Sequence, residues 1–292
     1  MDTPRPQNPA LAAVLITVAT AFIAATTLLA KALGTDTLGP ALHPLQISQG
    51  RFVFAFLAVS ATVAALRPRL QRPHLELHIG RTSFGWAGVT LMFAAAAQIP
   101  LADATAISFL NPVVAMLLAI PFLGERIGPW RWGAAAVALF GVLVLLRPTP
   151  AAFQPAALLA LAAALVMGAE MIFIKKLAGR EPPLQVLLIN NSMGMVIASA
   201  AALTVWQMPT PPQWAALAAL GLLMACAQVC FINGMARADA SFVAPFSYAT
   251  LVFAALYDFI GFGAAPDAVT MLGAVIILTG AAILAWREGR NR

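Results

Sequence analysis

The chain has 292 residues, of which 61% are hydrophobic and only 10% charged, and its formal net charge is +6. Its mean hydropathy of +0.88 and an apolar share more than about ten points above the soluble norm exclude an ordinary water-soluble domain. No basic face is interleaved with aromatic residues, so the positive charge does not point to nucleic acid.

Apolar windows of about 20 residues, each long enough to cross a hydrocarbon core of about 30 Å as a helix, follow one another along the whole chain. Ten are predicted: Ala10–Ala32, Pro44–Leu66, Ser83–Pro100, Ala104–Leu123, Trp130–Leu146, Pro155–Lys176, Pro183–Trp206, Gln213–Ala236, Ala240–Phe262 and Ala268–Trp286. They lack the strict alternation of a transmembrane barrel, so backbone hydrogen bonds must close within each helix. The connectors carry breakers, as in "LRPRLQRPH" from Leu66, "GREPP" from Gly179 and "QMPTPPQ" from Gln207. The first run is longer than a signal-peptide core and nine more follow it, so it is read as an uncleaved span.

Sorting the basic residues over alternate connectors tests orientation. Fourteen of the 17 fall on the side of the N-terminus, Arg81 among them; Lys31 and Arg147 fall opposite, and Arg51 lies within the second span. By the positive-inside rule both termini of this multi-pass protein are cytoplasmic. The net charge is then a topology signal, and membrane lipid with anionic headgroups is the expected partner of the basic connectors.

Ten spans divide into five and five, and an odd number per half inserts the second half in the opposite sense. Two echoes in register support such a repeat. "LADATAISFLNP" from Leu101 is answered by "RADASFVAPFSY" from Arg237, with Asp103 and Asp239 separated by 136 positions. "HPLQ" at His43 is answered by "PPLQ" at Pro182, with Pro44 and Pro183 separated by 139. The fold expected is an all-α membrane protein of ten transmembrane helices in two inverted five-helix repeats, residues 1–150 and 151–292.

The segments "SFLNPVVAMLLAIPFLGERIGPWRWGAAAVALFGVLVL" from Ser108 and "PFSYATLVFAALYDFIGFGAAPDAVTMLGAVIILTGAAILAWRE" from Pro245 resemble the two EamA domains of the drug/metabolite transporter superfamily. The resemblance extends over nearly the whole chain and includes similarity to the aromatic amino-acid exporters of that superfamily. It implies a secondary transporter that exports amino acids or related small metabolites from a cavity between its halves. One departure stands out. The Gly-Glu that closes the fourth span is present as Gly124 and Glu125, but the ninth span ends in Gly263 and Ala264, and an acid appears earlier, at Asp258.

Charges inside a membrane are costly and mark functional candidates. Arg51, Glu170 and Asp258 are the candidates for coupling or gating, with an Arg51–Asp258 clamp as the structural alternative and snorkelling as the alternative for Glu170. Buried polar groups add Gln98, Asn111, Gln228, Asn233 and Tyr248, which with Glu170 form the expected substrate-binding set; helix-to-helix contacts are the competing role. Pro112 and Pro245 interrupt their helices and are candidate hinges. Gly273 and Gly280 in the tenth span, and Ala134, Ala138 and Gly141 in the fifth, read as close-packing seams within the chain or at a dimer interface.

Enzyme constellations are not found. His43, His74 and His78 fall in connectors without zinc-ligand spacing. Cys226 and Cys230 are four apart on a helix, poorly placed for a disulfide, and there is no Gly-Lys dipeptide and so no Walker A loop. Neither a cofactor nor a bound metal is expected; the partner is a small-molecule substrate, and the protein is a monomer or a homodimer. A channel, a non-transporting scaffold and a membrane-embedded enzyme are the alternative readings.

Overall fold

The computed structural model describes residues 8–96, 101–150, 155, 157–262 and 267–290. Among these residues there are helices and no strands. The helices are α1 (Pro9–Leu33), α2 (Pro44–Leu66), α3 (Leu75–Ala96), α4 (Leu101–Ser108), α5 (Asn111–Leu123), α6 (Pro129–Leu146), α7 (Ala157–Ala178), α8 (Pro183–Ala202), α9 (Pro211–Met235), α10 (Ala240–Val243), α11 (Ala249–Phe262) and α12 (Ala268–Arg290). A 3-10 turn, Ala244–Tyr248, joins α10 to α11. Nine helical stretches among the described residues are long and apolar enough to cross a membrane.

Proline in the first turn starts α1, α2, α6, α8 and α9, where its missing N–H is unneeded and its fixed φ suits the helix. Thr210 and Gln213 add a reciprocal capping box to α9. Gly124 ends α5 with φ 69°, a left-handed cap that glycine adopts without a Cβ penalty.

The third helix departs from the sequence expectation. α3 begins at Leu75 rather than Ser83, so His78 and Arg81, assigned to a connector by hydropathy, stand on the helix. An apolar window discards such turns, but both side chains are buried by other helices.

Large apolar side chains face outward, with Phe140 59% and Ile260 69% exposed, while buried positions are dominated by alanine. This inside-out pattern suits a lipid exterior, where helices are held by close contact of small residues rather than by exclusion of water. The principal packings are α6 with α12, α1 with α9, α3 with α7, and α2 with both α8 and α9. On α6 and α12 the small residues form a seam within the chain: a Cβ on Gly141 would stand 2.8 Å from the Ile277 nitrogen, and one on Gly280 3.1 Å from the Ala134 carbonyl. α3 and α7 run antiparallel, with Gly80, Gly85 and Gly88 against Phe173, Glu170 and Met167.

Candidate functional site

A cavity of about 170 Å³ lies among α2, α3, α7, α8 and α9. α2 contributes Ser48, Arg51 and Phe52; α3 contributes Arg81, Thr82, Gly85 and Trp86; Glu170 comes from α7, Asn190 and Gly194 from α8, and Gln228 from α9. The end of the molecule at which α1 starts and α12 finishes is the termini end, and the opposite one the far end. The cavity lining runs from Arg81, Glu170 and Gln228 to Leu45 and Ala201, away from the termini end.

Glycines make room for the functional side chains. A Cβ on Gly85 would lie 2.8 Å from Oε1 of Glu170, and one on Gly194 would lie 2.3 Å from the Phe52 ring. The Arg51 guanidinium stands 4.1 Å from the centroid of the Phe52 ring, within cation–π range. Glu170 is within electrostatic reach of both Arg81 and Arg51. Arg81 is only 4% exposed, and its Nε and Nη1 have no hydrogen-bond partner. On the other wall, Asn191 donates to the Leu187 carbonyl at 2.9 Å and to Oε1 of Gln228 at 3.0 Å, which fixes the Gln228 amide at the cavity.

Of the residues singled out in the sequence, Arg51, Glu170 and Gln228 line this cavity. Asn111 donates from Nδ2 to the Ser108 carbonyl at 2.8 Å, across the break between α4 and α5. Asn233 donates to the Val229 carbonyl at 2.8 Å and accepts from Arg237 at 3.0 Å, near the end of α9. Tyr248 is fully buried against Phe109, with ring centroids 5.9 Å apart, and its hydroxyl has no hydrogen-bond partner. Pro112 lies in the first turn of α5 and Pro245 in that of the 3-10 turn, so each stands at an interruption of its helix. Gln98 lies outside the described residues, as does the side chain of Asp258, although its backbone belongs to α11.

Arg81, Thr82 and Phe52 join the cavity without having been signalled. For Arg81 the available sign was its position four residues before Gly85, on the helix face that the small residues Gly85 and Gly88 mark out.

The termini end is closed by polar clasps. Glu181, in the turn between α7 and α8, accepts at Oε1 from the His74 backbone N–H at 2.7 Å, with the His74 Nδ1 at 3.0 Å. Its Oε2 accepts from Gln185 at 2.7 Å and lies 2.9 Å from His78 Nε2. The Gln71 N–H donates to Gln185 Oε1 at 2.7 Å. His74, the last connector residue before α3, and His78, on α3 itself, are therefore partners of a buried acid. Burial by itself would raise the Glu181 carboxyl, yet the His74 N–H and the two imidazoles outweigh it and hold the group below its ordinary value. Glu125 accepts from the backbone N–H groups of Ala240 at 2.7 Å and Ser241 at 3.0 Å. Arg131 pairs with Asp239 at 2.9 Å, and Lys175 donates to the Met235 and Ala238 carbonyls.

At the far end Gln46 donates to the Gln207 carbonyl at 2.6 Å and accepts from the Gln207 N–H at 3.1 Å. Gln213 donates to the Pro40 carbonyl at 2.7 Å. Arg147 and Asp267 form an exposed pair in which the hydrogen bond from Arg147 holds the Asp267 carboxyl well below its usual range.

The family model described as "EamA-like transporter family" matches this chain twice, over residues 10–147 and 154–286. The chain belongs to that family. Among its relatives, a "Riboflavin transporter" of Rhizobium johnstonii is 33% identical over 248 residues, covering 82% of this chain and 80% of the relative. An "S-adenosylmethionine uptake transporter" of Rickettsia bellii is 28% identical over 252 residues, covering 86% and 87%. A protein of known crystal structure superposes on this EamA-like chain with a TM-score of 0.78 at 22% identity, covering 94% of this chain and 96% of that one. The EamA-like fold is thus shared well beyond recognisable sequence, and the family it defines is one of transporters, not enzymes.

Proposed function

We propose that this EamA-like protein is a secondary transporter that exports amino acids or related small metabolites across a bacterial inner membrane by alternating access. The observation that carries the reading is the charged cavity: Arg51 and Arg81 come from the first family-matched stretch, Glu170 and Gln228 from the second. A site shared between halves changes shape when one half rocks against the other.

Two inverted five-helix halves, residues 1–150 and 151–292, are part of this proposal. Their symmetry draws support from the clasps. Gln46 accepts the Gln207 N–H at the far end, and Gln185 accepts the Gln71 N–H at the termini end. Gln46 and Gln185 are 139 positions apart and Gln71 and Gln207 are 136 apart, the same offsets as the sequence echoes. The packing of α1 on α9 has its counterpart in α7 on α3. α3, with its polar first turns, supplies the tenth span.

The clasps are not equal. At the far end, the positions matching Glu181, His74 and His78 by these offsets are Leu42, Thr210 and Trp214. A buried carboxylate network therefore closes the termini end, whereas the far end relies on the glutamine pair and an apolar cluster containing Leu42 and Leu217. The arrangement corresponds to a carrier with its cavity reaching toward the far end. With the termini cytoplasmic, as the basic residues favour, this is an outward-directed state. The helix interruptions at Pro112 and Pro245 serve as hinges, and Glu170 and Asp258 are the acids available for proton coupling.

Counterflow in proteoliposomes tests the reading with radiolabelled amino acids, riboflavin and S-adenosylmethionine. Saturable exchange above that of empty liposomes is expected for at least one solute; exchange that never exceeds the empty-liposome level for the whole panel rejects it.

A further inference from the structure

Three charged side chains line the cavity: Arg51, Arg81 and Glu170. Whether Glu170 is ionised or protonated, two guanidiniums face at most one carboxylate, so the lining is net positive in either state. Positive charge in a low-dielectric interior is costly unless an opposite charge accompanies it. Arg51 has the Phe52 ring beneath it, but Arg81 is nine-tenths buried with Nε and Nη1 unpartnered. Burying unpaired guanidinium donors costs free energy that a structural role would not recover. Nε–H and Nη1 lie on different edges of the planar guanidinium, so each offers a charged donor to its own acceptor, and the positive lining favours an acceptor that is anionic.

We infer that the cavity takes an organic solute bearing a carboxylate, with Arg81 as the residue that binds it and Arg51 as its electrostatic support. Gln228, held by Asn191 through its oxygen, keeps its amide nitrogen for a further acceptor on the solute. Gly85, where a Cβ would crowd the Glu170 carboxylate, leaves that acid room beside the arginines. This assignment rests on the transporter reading and narrows it to a chemical class.

Matched acid and amide pairs test it: phenylacetate against phenylacetamide, hexanoate against hexanamide, and N-acetyltryptophan against N-acetyltryptophanamide. The readout is the concentration of each that half-maximally raises the melting temperature of the full-length protein in detergent. In the wild type, at least one acid is expected to protect at a concentration roughly tenfold or more below that of its amide, the scale of one charge-assisted hydrogen bond. Arg81→Gln is expected to bring that ratio near one, and Arg81→Lys, which keeps the charge without the planar set of donors, to fall between. Equal protection by acid and amide throughout the wild-type panel overturns the inference without requiring any variant to fold. So does an unchanged ratio in an Arg81→Gln protein that melts like the wild type, and so does protection by neither member of any pair. If counterflow persists in those cases, the transporter reading stands and only the carboxylate assignment falls. Acid preference without counterflow does the opposite, upholding the carboxylate site and rejecting the carrier.

Discussion

Glu181→Gln leaves the shape of the side chain almost unchanged but should loosen the termini end of the protein. The carboxylate oxygens face four nitrogen atoms at 2.7, 3.0, 2.9 and 2.7 Å. An amide replaces one of these oxygens with an NH2 group, which turns donor against donor on that side. A hydrogen bond to a charged group is worth about 1.5–3 kcal/mol, so the clasped state should lose about 3 kcal/mol, or roughly a hundredfold in population relative to a state open at this end. Spin labels at the exposed positions Arg72 and Arg180, in a background without Cys226 and Cys230, report the separation across the clasp. A longer-distance component is expected to appear in the variant. Acid should have the same effect on the wild type. Because the folded carboxyl lies below its ordinary value, its stabilisation is fully present above the ordinary carboxylate range and is lost as pH falls through the lower folded value. Identical distance distributions in wild type and variant, unchanged from about pH 7 to about pH 3, would refute the assignment of Glu181 as the closing element.

Two glycine substitutions separate the cavity from the scaffold. In Gly85→Ala the new methyl would stand 2.8–3.1 Å from the end of the flexible Glu170 side chain, so the protein should fold with a near-wild-type melting temperature while counterflow falls sharply; normal exchange would remove Glu170 from the transport path. In Gly221→Ala the new methyl would meet the Ala55 nitrogen at 2.8 Å and the Arg51 carbonyl at 3.0 Å, backbone that cannot yield, and thermal unfolding in detergent should show a loss of about 1–3 kcal/mol.

The bilayer was legible from composition, and most of the helices from apolar windows, because lipid forces every spanning segment to satisfy its own backbone. The charges at Arg51 and Glu170 stood out for the same reason: each interrupts an otherwise apolar run, and a local pattern is enough to see that. The cavity was not legible in this way. Arg81 and His78 sit in the polar first turns of α3, where a hydropathy window reads connector, and what they face lies about a hundred residues away: Glu181 lies against His78, and Glu170 lines the same cavity as Arg81.

Glu125 shows the same division. The sequence marked it as the end of a span, but only the folded chain brings it to the N–H groups of Ala240 and Ser241. One-dimensional hydropathy determined that this chain lives in a membrane and roughly where it crosses. Which polar groups meet inside was decided by the tertiary structure, because glycines at positions such as 85, 194 and 221 let particular helices approach closely enough to bring distant charges into one space.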